Sequence, residues 1–254
     1  MHILTVARDL RRRKARERRT LFVAEGVRTV EELLRSSFVV QAALTTGALA
    51  GSPRGQALLA ALAKRGIPVT EVSDKEFLTA ADTEHPQGVL AIADLPARTL
   101  DSTLASAARL LVLDAIQDPG NVGTLVRTGA GLGAAAIITL PGTADPWSAK
   151  AVRAGAGAHF HVPTVHAEPA ELLSFLHSSG IELWGTAADG SPVDHVEPPP
   201  RLALAVGNEG AGLSDALRSG AARMVALPMA HGVESLNVAV AAGILLYALR
   251  PRHA

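Results

Sequence analysis

The chain has 254 residues, of which 48% are hydrophobic, 19% charged and only 3% aromatic, with 24 Lys/Arg balanced by 24 Asp/Glu. That is enough apolar material for one large domain or two smaller ones, and it excludes global disorder. The absence of cysteine excludes disulfides, thiolate catalysis and any Cys-ligated metal or cluster. No signal peptide or membrane span is expected, because the early Arg-rich stretch lacks an apolar region after it and longer apolar stretches are soon interrupted.

Net neutrality hides an asymmetry. Residues 1–110 carry 16 basic against 12 acidic side chains, and residues 111–254 carry 8 against 12. The excess is concentrated in Arg8, Arg11, Arg12, Arg13, Lys14, Arg16, Arg18 and Arg19, set against only two acidic residues in that stretch, Asp9 and Glu17. Such a run suits a phosphate-binding stripe, since clustered guanidinium groups displace counterions from a polyanion, or a solvated helix face.

In the first hundred residues the apolar spacing predicts a helix over 27–34, a strand over 38–44 and a loop over 45–53. A helix over 56–64 follows, stopped by Gly66 and Pro68. A strand over 68–72, a capping box from Ser73 to Glu76 and a buried strand over 88–93 complete a small α/β domain spanning 1–95. Residues 96–108 suit a linker, and a second α/β series runs from 109 to 254. There, strands over 110–113, 135–140, 182–186, 202–206 and 224–227 alternate with helices over 122–132, 171–177 and 237–249. Strands apolar on both faces point to a mostly parallel sheet covered on two sides.

The run Gly129-Ala130-Gly131-Leu132-Gly133 is half of a dinucleotide fingerprint, but it falls at the end of a helix rather than between a strand and its helix. A nicotinamide-dependent dehydrogenase is therefore disfavoured, and no P-loop motif is present. Three strand-end loops carry polar groups. Asp118-Pro119-Gly120-Asn121 leads into the helix bearing Arg127, with Asn121 suited to cap it. Gly207-Asn208-Glu209-Gly210-Ala211-Gly212-Leu213 follows a buried strand. Leu227-Pro228-Met229 runs through Gly232 to Glu234-Ser235-Leu236-Asn237, where Ser235 could cap the last helix. Of the nine histidines, His159 and His161 suit structural or surface roles, while His231 sits between two of these polar loops.

Asn121-Val122-Gly123-Thr124-Leu125-Val126-Arg127-Thr128-Gly129-Ala130, the 207–213 loop, and Leu227-Pro228-Met229 followed by Ser235-Leu236-Asn237-Val238-Ala239-Val240-Ala241 together resemble the SpoU/TrmH family of RNA ribose 2′-O-methyltransferases, in the SPOUT superfamily. Arg153-Ala154-Gly155-Ala156-Gly157-Ala158 is also family-like, with Gly155 where a Ser is common. Phe22-Val23-Ala24-Glu25-Gly26 and its basic lead-in are similar to the substrate-binding domain of the ribosomal-RNA members, a relative of ribosomal protein L30e.

The resemblance implies an α/β fold with a C-terminal deep trefoil knot behind a small L30e-like domain, and a cytoplasmic homodimer that needs no metal. It implies S-adenosylmethionine as cofactor, held near Thr186, Gly207, Leu227, Met229 and Leu236. Arg127, Asn121, Glu209, Ser235 and Asn237 form the implied catalytic cluster. The implied substrate is structured RNA, ribosomal RNA before transfer RNA, and a non-catalytic RNA-binding or assembly protein is the rival from another class. Arg127 is either a base or a charged anchor for phosphate and alkoxide. Neutralising a guanidinium at pH 7 costs on the order of 9 kcal/mol, which burial or a relay would have to offset.

Overall fold

The computed structural model describes residues 3–230 and 235–250. In chain order these form α1 (Ile3–Asp9), α2 (Arg13–Arg19), β1 (Leu21–Glu25), α3 (Val27–Arg35), β2 (Val40–Thr45), α4 (Pro53–Lys64), β3 (Val69–Glu71), α5 (Asp74–Leu78) and β4 (Val89–Asp94). They continue as α6 (Ser102–Ala105), β5 (Arg109–Leu113), α7 (Pro119–Gly131), β6 (Ala136–Thr139), α8 (Ala149–Ala154), β7 (Thr164–His166) and α9 (Pro169–Ser179). The last elements are β8 (Glu182–Pro192), β9 (Leu202–Val206), α10 (Asp215–Gly220), β10 (Arg223–Ala226) and α11 (Val238–Ala248). Among the described residues no helix is long and apolar enough to cross a membrane.

Two compact units result. Unit 1 contains residues 1–97 together with 145–161, and unit 2 contains 98–144 and 162–254. The sequence pattern leaves 145–161 inside the second α/β series, yet this stretch packs with the first. The family-like Arg153–Ala158 segment is therefore part of unit 1.

Unit 1 is built on a mixed four-stranded sheet in the order β1-β4-β2-β3, with β4 antiparallel to both neighbours and β3 parallel to β2. Alternation along β1 explains its two cores. Phe22 and Ala24 face a cluster with Val30, Leu33, Leu58, Leu62, Trp147, Val152 and Phe160. Val23 faces the opposite cluster with Leu4, Leu10, Leu44, Phe77, Leu90 and Ile92. Phe22, Phe38, Trp147 and Phe160 pack ring to ring, with centroids from 4.8 to 6.1 Å apart. Half of the few aromatic side chains are thereby locked into this core and cannot stack on a base. The capping box at α5 forms as the sequence suggests, Ser73 Oγ accepting from the Glu76 amide and Glu76 returning to the Ser73 amide at 3.0 Å.

His159 is buried at 1% exposure with no hydrogen-bond partner for either ring nitrogen, edge-on to Trp147. Its ring lies against Gly155, where an added Cβ would fall 2.2 Å from Nδ1. A serine at 155 does not fit beside this imidazole, which accounts for glycine there.

Unit 2 carries a six-stranded sheet in the order β10-β8-β9-β5-β6-β7, every pair parallel. β5, β6 and β9 are buried along their whole length, as a sheet covered on both faces requires. Leu110, Val112, Ile138, Leu172, Leu176, Leu183 and Leu217 form the core on one face. Gly129 lets α7 approach the sheet, since a Cβ there would meet Ile137 Cδ1 at 2.6 Å. The glycines that mimic a dinucleotide loop thus serve helix packing and termination.

Candidate active site

The three polar loops of unit 2 follow the carboxyl ends of the parallel strands β5, β9 and β10, the edge where open α/β sheets place ligands. At the end of β5 the buried Asp114 carboxylate accepts from the Ser214 amide at 2.7 Å, tying two loops together. Asp118, rather than Asn121, caps α7: its Oδ1 accepts from Gly120 N at 3.0 Å, and Pro119 occupies the first helical position, where a missing N–H costs nothing. This correction has a chemical consequence, because it frees the Asn121 amide for other side chains.

Asn121 Nδ2 donates to Glu209 Oε1 at 2.7 Å, and Asn121 Oδ1 accepts from Asn237 Nδ2 at 3.0 Å. One residue from the first turn of α7, one from the loop after β9 and the cap residue of α11 therefore form one hydrogen-bonded chain. Asn237 also caps α11, its Oδ1 accepting from the amides of Ala239 at 3.0 Å and Val240 at 3.3 Å. The capping role that the sequence offers to Ser235 belongs to Asn237. Glu209 is presented by a loop that Asn208 stiffens. Its Oδ1 accepts from Gly210 and Ala211 amides at 2.9 Å each, its Nδ2 donates to the Ala115 carbonyl at 3.1 Å, and its backbone pairs with Gly212.

Beside this chain lies a cavity of about 450 Å³, within the size range of small-molecule sites. Thr186, Gly207, Leu227, Met229 and Leu236 all line it, as do Glu209 and Ser235. Gly207 leaves no alternative residue, since a Cβ would fall 2.3 Å from the Gly212 carbonyl carbon. Met229 and Leu236, at 39% and 40% exposure, are large apolar groups held open at its mouth. Such surface is expected to be covered by a ligand. Asn208, Gly190 and Val238 also line the cavity and are not among the sequence candidates. Gly190 belongs to the far end of β8, which continues to Pro192 instead of ending at 186. The stretch Ala187-Ala188-Asp189-Gly190 has low strand propensity and is passed over by β10, which pairs with Trp184 and Gly185 and then, after a register shift, with Ser191 and Pro192.

Arg127 lies six residues beyond Asn121, about 9 Å along the α7 axis. It is exposed, outside the cavity lining, and without a hydrogen-bond or ion-pair partner among the described residues. His231, Gly232 and Glu234 lie outside the described residues.

The basic run occupies α1 and α2 of unit 1. Arg16 is corrected from surface cation to structural residue: at 4% exposure it donates to Asp145 and to the carbonyls of Leu10 and Arg11. Arg12, Arg18 and Arg19 gather on Asp9, whose carboxyl these guanidinium groups hold below the usual carboxylate range. Arg13 pairs with Glu17 at 2.7 Å and Arg8 donates to the Thr79 hydroxyl at 2.6 Å. Arg11, which donates to the Thr79 carbonyl at 3.4 Å, and Lys14 complete the exposed set. His161 is exposed near Glu32, and among the described residues no group of three or more His, Asp or Glu could hold a metal.

Two family models match the chain: the SpoU rRNA Methylase family over residues 108–247 and the MRM3-like substrate binding domain over residues 5–91. The chain belongs to the SpoU rRNA methylase family. Within it, the chain is 35% identical over 244 residues to the 23S rRNA (guanosine(2553)-2′-O)-methyltransferase RlmP of Bacillus subtilis, covering 96% of this chain and 94% of that protein. It is 31% identical to the 23S rRNA (uridine(2479)-2′-O)-methyltransferase of Streptomyces viridochromogenes, over 94% of this chain and 86% of that one. The SpoU methyltransferase AviRb of the same organism, solved in complex with AdoMet, superposes with a TM-score of 0.85 at 27% identity, covering 98% and 96% of the two chains. An AdoMet-bound rRNA methyltransferase from Sinorhizobium meliloti gives a TM-score of 0.85 at 29% identity, over 97% of this chain and 93% of that one.

Proposed function

We propose that this SpoU-family protein methylates a ribose 2′-hydroxyl in 23S ribosomal RNA, with S-adenosylmethionine as donor. The observation that carries this reading is the Asn237–Asn121–Glu209 chain along the rim of an apolar, backbone-rich cavity. The cavity suits the cofactor on its own chemistry. Val225, Leu227 and Leu236 supply apolar walls for an adenine, Ser235 and Thr186 supply hydroxyls, and the Glu209 carboxylate supplies negative charge beside a sulfonium. When bound, S-adenosylmethionine supplies an electrophilic methyl group.

The chain's own residues then have distinct tasks. Asn121, fixed from both sides, orients the ribose or its neighbouring phosphate. Arg127, exposed on α7, serves as a charged anchor for phosphate and developing alkoxide. The exposed cations of α1 and α2 supply long-range attraction to the RNA backbone.

The finer features that accompany the family reading are proposals of the same kind. Loops after β8, β9 and β10 lining one cavity are compatible with a C-terminal trefoil knot, and an rRNA substrate implies a cytoplasmic enzyme. Val240, Ile244 and Tyr247, exposed at 51%, 45% and 56%, make one apolar stripe on α11 at helical spacing that fits a second copy of the chain. Sedimentation is expected to give twice the 26.2 kDa chain mass. Val240→Asp combined with Ile244→Asp should halve it, and a wild-type monomer at micromolar concentration would remove the dimer.

The activity itself is tested by transfer of tritiated methyl groups to RNA from a strain lacking the gene. Label is expected in 23S rRNA, at a ribose that resists alkaline cleavage. Label in tRNA instead would reassign the substrate. Cofactor uptake by calorimetry without transfer to any RNA would leave an RNA-binding protein on the same fold.

A further inference from the structure

Unit 1 has a concave site of its own. A cavity of about 320 Å³ opens where β1 hands over to α3, bounded by Glu25, Gly26, Arg28, Thr29, the segment holding Thr83, His85 and Gln87, and Arg153 of α8. Its floor is rigid. Glu25, at 2% exposure, accepts from the amides of Asp82 at 2.7 Å and Thr83 at 3.3 Å, and from the Thr83 hydroxyl. Gly26 turns the chain at φ 96°, and Gln87 Oε1 takes the Val27 amide at 2.8 Å.

Donors face this cavity beside a Glu25 carboxylate that is already committed to the Asp82 and Thr83 amides. The cap residue Gly26 offers α3 no side chain, and the first turn holds no acidic residue. It holds Arg28 instead, a cation at the positive end of a helix dipole, which is destabilising unless an anion sits there. Arg28 is exposed and makes no hydrogen bond or ion pair among the described residues, its charge serving, after those of Arg54 and Arg35, to help hold the Glu31 carboxyl below its ordinary range. Thr29 is 5% exposed and lines the cavity, and its hydroxyl has no hydrogen-bond partner among the described residues. Arg153 spends Nη2 on Asp82 at 3.0 Å, while its Nη1 is buried without a hydrogen bond, 3.8 Å from the nearest Glu25 oxygen.

We infer that this cleft binds one phosphodiester of the RNA substrate, with a phosphate at the N-terminus of α3 between Arg28 and the Thr29 hydroxyl. The remaining volume accommodates part of the adjoining nucleotide. The inference rests on the RNA-substrate reading and gives it a discrete contact, where the α1–α2 cations give only diffuse attraction.

The test measures equilibrium binding of the full-length protein to transcribed 23S rRNA over a range of salt. It compares Arg28→Gln, Thr29→Val and, as an equal-charge control on the exposed surface, Arg65→Gln. Arg28→Gln is expected to weaken RNA binding about tenfold and to reduce the slope of log K against log salt by about one contact. Thr29→Val, which keeps the side-chain shape, should weaken it about threefold, with S-adenosylmethionine affinity and thermal midpoint unchanged in both. If wild type binds RNA and Arg28→Gln binds no more weakly than Arg65→Gln, the cleft assignment is overturned while the RNA reading stands. If wild type takes up S-adenosylmethionine but no RNA at any salt, the RNA reading falls and the cleft assignment with it.

Discussion

Arg127→Ala should lower the turnover of methyl transfer by about 100- to 1,000-fold while leaving S-adenosylmethionine affinity within about twofold. The size follows from removing one charged donor aimed at developing negative charge. The selectivity follows from position: Arg127 is outside the cavity lining, and the cavity residues do not depend on it for a hydrogen bond. Arg127→Lys separates its possible roles. A lysine keeps the charge but loses the planar two-pronged donor, so an anchoring role predicts partial turnover, a few per cent of wild type, with a raised KM for RNA. Single-turnover rates with saturating cofactor read this directly. Unchanged turnover in Arg127→Ala would remove the residue from the site altogether.

The second large effect is on stability. His159 is buried without a hydrogen bond, and burial pushes its pKa down from the ordinary 6.5 to about 4, opposed only in part by the backbone at Pro146. The folded protein therefore refuses a proton that the unfolded chain accepts. Stability is complete above pH 6.5 and falls as the pH drops toward 4. At 1.36 kcal/mol per tenfold in proton affinity, that interval is worth about 3 kcal/mol. Denaturant unfolding between pH 7 and 4 should show this loss in wild type and not in His159→Phe or His159→Leu. Fluorescence of Trp147 in a Trp184→Phe background reports unit 1 alone, since these are the two tryptophans of the chain. Parallel pH curves for wild type and both variants would refute the account.

The central strands and longer helices of both sheets were legible because their signals are local. Leu110–Leu113 and Leu202–Val206 are unbroken apolar runs, and α3 shows its apolar side at helical spacing. What sequence could not resolve was which of two adjacent polar residues does which job. Asn121 and Asp118 are both good caps, as are Ser235 and Asn237, and only tertiary contacts decide. Asp118 takes the α7 cap, Asn237 takes the α11 cap, and the two asparagines then meet each other. Arg16 shows the converse limit. In a run of eight basic residues nothing local marks the one that turns inward, because its partner Asp145 is 129 residues away. The all-parallel pairing in unit 2 follows from the alternating strand and helix order, whereas the extension of β8 depends on an edge partner much later in the chain.

The composition of unit 1 also bears on how the protein is made. Trp147, Val152 and Phe160 cover one face of a sheet whose strands all lie before residue 95. A nascent chain that has just exposed those strands has α3 and α4 on the Phe22 face but lacks the part of the cover that Trp147, Val152 and Phe160 supply. When that part emerges, β5 and β6 are also outside the exit tunnel, apolar on both faces, with β7 to β10 yet to emerge. Unit 1 therefore cannot complete its core before part of unit 2 has emerged.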